Sequence, residues 1–134
     1  MHQMKVIYQG DLRTESEHLD SRSILYTDAP KDNQGKGEAF SPTDLLCTSL
    51  ASCMLTIAAM KARTMGIDLA GVTIEVQKKM AIAPRKVAEI VLRFDWQGLN
   101  EKLAVEDLDS LKEAAVNCPV FLSLDSSVKK TLIW

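Results

Sequence analysis

The sequence predicts an α+β domain, and three observations carry that prediction. Short runs that alternate apolar and polar residues open the chain, an almost uncharged helical stretch fills residues 41–66, and two more alternating runs lie between 72 and 96. Alternation at period two marks half-buried strands, whereas apolar residues spaced by three and four belong to helices. Strands and helices in blocks, rather than in strict alternation, make α+β.

Residues 5–8, 12–19 and 23–27 read as strands of an antiparallel meander, broken at Gly10 and around Asp20. DAPKDNQGKGEAF, residues 28–40, is rich in turn formers and charge and reads as a loop. It is long for a small domain, and long loops are often functional.

The helix that follows has both ends written into the sequence. Ser41 is a good N-cap, Pro42 suits the first helical position, and Asp44 three residues on from Ser41 resembles a capping box. Gly66 stops the helix, with Lys61 and Arg63 in its last turns, where cations favour the dipole. Between these ends Leu45, Leu46, Leu50, Met54, Leu55, Ile57, Ala58 and Met60 cover nearly every face. A helix apolar all round must be enclosed by protein. A chain of 134 residues can hardly enclose one of this length alone, so a second subunit is expected to cover one side.

Residues 72–82 and 86–96 alternate well and read as a hairpin across Ala83-Pro84-Arg85. Asn100 or a neighbour caps a second helix, with Leu108, Leu111 and Ala115 along one face. Pro119 disfavours helical geometry at Cys118 and ends that helix. It also suits the start of a short new one, PVFLSL, with Cys118 at its N-cap; residues 128–134 form a closing strand.

Composition narrows the function. The length fits one domain, 1–134, and 46% hydrophobic with 25% charged residues is ordinary folded material. Aromatic residues make up only 5%, so the core must be aliphatic. A net charge of −2, with Lys and Arg scattered, gives no reason to expect nucleic acid or an anionic membrane. The N-terminus shows no signal-peptide pattern and the uncharged run 45–60 is short for a membrane span, so a cytoplasmic location is expected. Three cysteines, two histidines and no CxxC argue against a disulfide framework and against a metal site. No cofactor is indicated.

The cysteines Cys53 and Cys118 remain as candidate reagents. A free thiol has a pKa of about 8.5, and lowering it to about 6.5 takes roughly 2.7 kcal/mol of differential stabilisation. Cys118 has a visible means, a helix N-terminus aimed at its sulfur. Cys53 sits mid-helix and would need a cation, for which Arg13 on the second strand is the first candidate and Arg85 in the hairpin turn the second. The chemistry would be peroxide reduction, in which a thiolate becomes a sulfenic acid that a second cysteine condenses into a disulfide. The two Cα atoms must then come within roughly 4.4–6.8 Å. A helix face lined by Leu50, Met54 and Ile57 would suit an organic hydroperoxide. A cysteine on an apolar helix is nevertheless more often an inert core residue. Cys47, six residues and about 600° of helical rotation from Cys53, is read that way.

A resemblance adds to this reading. TDAPKDNQGKGEAF, SPTDLLCTSLASCM through ARTMGIDLAGV, KKM with PRKVAEI, and NCPVFLSL together resemble the family of osmotically inducible protein C (OsmC) and organic hydroperoxide resistance (Ohr) proteins over nearly the whole chain. The Ala-Ser-Cys-Met step at Cys53 and the Cys-Pro-Val step at Cys118 are its most specific parts. The resemblance implies an intertwined homodimer, with antiparallel sheets built by both subunits around central helices. It implies a cysteine-based peroxidase in stress defence, with Cys53 attacking, Cys118 resolving, and Arg13 from the partner chain holding the first thiolate. It further implies organic hydroperoxides as substrates and a dithiol reductant such as a lipoylated protein. Thr43 stands where the peroxidase branches tend to carry an arginine-orienting glutamate, with Asp44 next to it, and Phe121 stands where a polar or basic residue is common. Two other readings keep the same fold: a redox-sensing disulfide protein, and a non-catalytic dimer that binds a small molecule.

Overall fold

The capping signal in the sequence places the start of the long helix α1, Pro42–Thr64. The Asp44 amide donates to Ser41 Oγ at 3.0 Å and the Ser41 amide donates to Asp44 Oδ2 at 2.9 Å. This capping box satisfies backbone donors at the helix start reciprocally. At the other end Gly66 has φ +70°, the left-handed geometry that glycine adopts without a Cβ clash. Cys47, Leu50, Ala51, Met54, Ala58 and Ala62 are buried, a stripe at helical spacing. Elsewhere on the helix Leu46 and Met60 stay exposed, Met60 at 58%. By length and mean hydropathy α1 is long and apolar enough to cross a membrane, which corrects the shorter span expected from its uncharged run. The packed stripe along one face is equally what a core helix requires.

The structure is a computed structural model that describes residues 1–134. It divides into two compact units, Met1–Leu46 and Cys47–Trp134.

In the first unit, β1 (Met4–Gly10), β2 (Arg13–His18) and β3 (Ile24–Asp28) form the expected antiparallel meander. Its buried residues are polar or charged: Thr27, Asp28 and Ser41. Its large apolar side chains, among them Met4, Val6, Tyr8, Leu25 and Tyr26, are exposed. Because neighbouring strand residues point to opposite faces, Leu25 and Tyr26 expose apolar surface on both sides of the sheet. The loop after β3 contains a 3₁₀ turn, Lys31–Asn33. It is drawn tight where the Gly35 amide donates to the Pro30 carbonyl at 2.9 Å and the Gly37 amide to the Ala29 carbonyl at 3.2 Å.

The second unit holds the aliphatic core. β4 (Thr73–Ile82) and β5 (Arg85–Asp95) form the antiparallel hairpin, and β6 (Lys129–Ile133) lies beside β5. Ile90, Leu92 and Phe94 are buried alternately along β5. A register shift sets Lys79 opposite Glu89 but Met80 opposite Val87. The extra residue, Ala88, inverts the alternation, which returns Val87 to the buried set.

Two expectations are corrected here. β6 runs parallel to β5, so this sheet is mixed where antiparallel sheets were expected. The chain between them makes a helical crossover, which returns a strand in the direction it left. The single helix expected from Asn100 is two, α2 (Leu99–Lys102) and α3 (Val105–Val116). Leu103 is extended at φ −86°, ψ 149° and separates them. Ala104 caps α3 without a side-chain bond, and Glu106 and Asp107 in its first turn complement the helix dipole instead. α4 (Pro119–Ser123) follows with Cys118 at its N-cap, as the sequence predicts.

Candidate active site

Cys118 is placed by the junction of α3 and α4. Leu111, Ala115 and Cys118 have no exposed surface, and their three- and four-residue spacing carries the core-facing stripe of α3 up to the cap. Pro119, at the first position of α4, stops α3 and turns the chain. The Phe121 amide donates to Cys118 Sγ at 3.4 Å, so the sulfur acts as the capping acceptor. The Phe121 ring also carries the Lys130 ammonium, 5.4 Å from its centroid, so this apolar position has a cation on its face.

Cys53, half-buried on α1, meets Cys118. The two side chains lie within hydrogen-bonding reach of each other, and both thiols are free. Burial first, then the hydrogen bond to Cys53 and the charge Cys53 can carry, push the Cys118 thiol up from its ordinary value; the bonds to the Phe121 and Val120 amides oppose this. The lowering that a helix N-terminus offers the Cys118 thiol is outweighed by its burial. α4 is only five residues long, too short for a full dipole, and desolvation outweighs it.

Folding thus brings together two sulfurs 65 positions apart in the sequence. Cys47 is buried in the aliphatic core, as expected of an inert cysteine. Leu50 and Met54 are wholly buried, and of the three residues expected to face substrate only Ile57 keeps accessible surface. A cleft of about 700 Å³ lined by Leu55, Thr56, Ala59, Met60 and Arg63, among others, borders neither Cys53 nor Cys118.

Of the two candidate cations, Arg85 is exposed at the start of β5. Arg13 is elaborately held. It lies directly opposite Asp28 across the β2–β3 ladder. Arg13 Nε donates to Asp28 Oδ1 and Nη2 to Asp28 Oδ2, each at 2.7 Å, and Nη2 also donates to Glu38 Oε2 at 2.9 Å. The Glu38 amide donates to Asp28 Oδ2 at 3.0 Å. The Asp28 side chain is 1% exposed and that of Arg13 is 32% exposed. The Arg13 guanidinium holds the Asp28 carboxyl below the usual carboxylate range, and the two carboxylates push the guanidinium further up. Asp28 and Glu38 were not singled out by the sequence. The signal was there for Asp28, since counting outward from the turn near Asp20 sets 28 against 13.

An α+β fold in which two free thiols, Cys53 and Cys118, come together defines a dithiol protein. This chain belongs to the OsmC-like protein family, whose model matches residues 35–132. It shares 52% identity with a proposed osmotic stress induced and detoxification response protein from Psychrobacter arcticus 273-4, over 99% of this chain and 95% of that one, with a TM-score of 0.89. The fold is also similar to that of an organic hydroperoxide resistance protein OsmC from Legionella pneumophila, at 21% identity, 97% and 93% coverage and a TM-score of 0.75. An OsmC-like protein of unknown function from Vibrio cholerae aligns at 17% identity over 99% of both chains, with a TM-score of 0.76. No curated protein matches the chain at a significant level.

Proposed function

We propose that this chain is a cytoplasmic, homodimeric thiol peroxidase that reduces organic hydroperoxides, with Cys53 attacking and Cys118 resolving. The observation that carries the reading is the pairing itself: two free thiols in hydrogen-bonding reach, Cys118 wholly buried and Cys53 half-buried. A resolving thiol should stay protonated and in place until the attacking sulfur has been oxidised.

The Cys53 thiolate attacks the distal oxygen of the hydroperoxide. The O–O bond breaks, the alkoxide takes a proton and leaves as the alcohol, and Cys53 becomes a sulfenic acid. The Cys118 sulfur then attacks Cys53 Sγ. An S–S bond forms, the S–O bond breaks, and the hydroxide leaves as water with the Cys118 proton. A dithiol of the lipoyl type reduces the disulfide and is itself oxidised. Arg13, supplied by a second copy of the chain, stabilises the first thiolate.

The second copy has support in the surface. A three-stranded sheet with apolar side chains exposed on both faces, and a long helix with exposed Leu46 and Met60, are surfaces that a stable protein covers. On this reading both units work as one domain, 1–134, intertwined with its twin. Ile57, half-buried one turn along from Cys53, borders the substrate's apolar group, and Leu50 and Met54 back the site from the core.

The test is consumption of tert-butyl hydroperoxide with dihydrolipoamide as reductant. The parent chain turns over, Cys53→Ser does not, and Cys118→Ser is oxidised once without recycling. Full activity of Cys53→Ser contradicts the reading.

A further inference from the structure

The thiol-activating arginine of the reading above needs an orienting acid, and the chain's own candidates at the start of α1 are engaged in the helix cap. Thr43 Oγ1 shares a hydrogen bond with Ser41 Oγ at 3.2 Å, and Asp44 closes the capping box. We propose that Asp28 and Glu38 take that role: they are the positioning residues that fix the plane of the Arg13 guanidinium and leave its Nη1 edge to meet the Cys53 sulfur and the peroxide.

The geometry supplies the argument. Two parallel N–H···O bonds to one carboxylate fix a guanidinium in plane as well as in position. Here the carboxylate is Asp28, shielded from water, and its own backbone lies opposite Arg13 in the β ladder. Glu38 completes the hold on Nη2 from the solvent side, at 64% side-chain exposure. Its backbone amide ties the loop to the same Asp28 oxygen. Nε and Nη2 are thus the nitrogens that the carboxylates engage, and Nη1 is the one that neither engages. The Arg13 side chain is one-third exposed, so the guanidinium is not sealed in by its two acids. Loop 28–40, which looked functional by its length, acts by carrying Glu38. The two acids also oppose the thiolate electrostatically, so position and charge predict opposite effects when either is removed.

The inference rests on Arg13 serving Cys53, and one experiment separates the two claims. The second-order rate constant for oxidation of Cys53 by tert-butyl hydroperoxide is measured against pH for the full-length parent, Asp28→Asn, Glu38→Ala and Arg13→Ala. Positioning predicts that the inflection marking thiolate formation moves to higher pH in Asp28→Asn, with a rate at neutral pH about tenfold lower. Glu38→Ala moves the same way by about threefold and, being exposed, does not endanger folding; it decides the matter should Asp28→Asn fail to fold. An inflection that stays in place, or moves to lower pH as loss of negative charge alone would make it, overturns the proposal. Loss of rate in Arg13→Ala with unchanged acid variants leaves the arginine reading standing and removes the acids from it. An unchanged Arg13→Ala removes both.

Discussion

Cys118 lies beside Cys53, and burial above all pushes its thiol up from the ordinary value. The same sulfur accepts the Phe121 amide. The capping bond fixes the residue and desolvation keeps its proton, so local structure and packing act on one atom in opposite electrostatic senses. Burial wins.

Removing Cys53 should lower the Cys118 pKa. In Cys53→Ala the hydrogen bond to Cys53 and the Coulombic opposition from it both disappear, and each raises the value in the parent. Burial remains, so Cys118 still ionises above the ordinary thiol. Alkylation rate against pH, followed by intact-mass spectrometry, reads this. A higher inflection in the variant than in the parent would contradict it.

The same shift makes stability fall in alkali. A thiol whose folded pKa is raised is favoured in its protonated form by the folded state. Its contribution is fully present below the unfolded value of about 8.5 and is lost as pH rises through the folded value. Cys118→Ser, lacking that ionisation, should lose less stability than the parent over that range in denaturant titrations.

Asp28 gives the opposite sign in acid. Its folded pKa is lowered by Arg13, so its contribution is present above the ordinary carboxylate value and is lost as pH falls through the folded one. Amide exchange in residues 24–40 should therefore rise only below the usual carboxylate range. In Asp28→Asn that exchange should be raised already at neutral pH.

Gly35 cannot carry a side chain where it stands. A Cβ there would lie 1.6 Å from the Ala29 carbonyl oxygen, which is backbone and cannot swing away. Gly35→Ala should destabilise the chain by roughly 1–3 kcal/mol and displace the loop that bears Glu38. Thermal unfolding checks the first effect and the peroxide pH profile the second.

Leu50 separates core from substrate surface. With no exposed atoms, Leu50→Ala should cost roughly 2–5 kcal/mol of stability. The Michaelis constant for tert-butyl hydroperoxide should stay near that of the parent. Ile57→Ala should raise that constant with less harm to stability.

These elements differ in how far the sequence reveals them. α1 was legible at both ends because Ser41, Asp44 and Gly66 act within a few residues of where they stand. The meander and the hairpin were legible from period-two alternation. The parallel direction of β6 was not, because direction follows from the crossover and leaves no mark on the five residues of the strand itself. Asn100 imitated a cap, whereas the residue that caps α3 is Ala104, which carries no capping signal. Cys118 showed its helix terminus in the Cys-Pro step but not its burial, which is a property of the packed core. Asp28 and Glu38 hid in a loop whose composition signals only turns, and their role depends on cross-strand register.

Peptide mapping after one equivalent of tert-butyl hydroperoxide, with free thiols alkylated under denaturing conditions, tests the central claim most directly. The account predicts one disulfide joining the Cys53 and Cys118 peptides, with Cys47 alkylated. Oxidised Cys53 alongside a fully alkylated Cys118, or no oxidation at Cys53 at all, would contradict it.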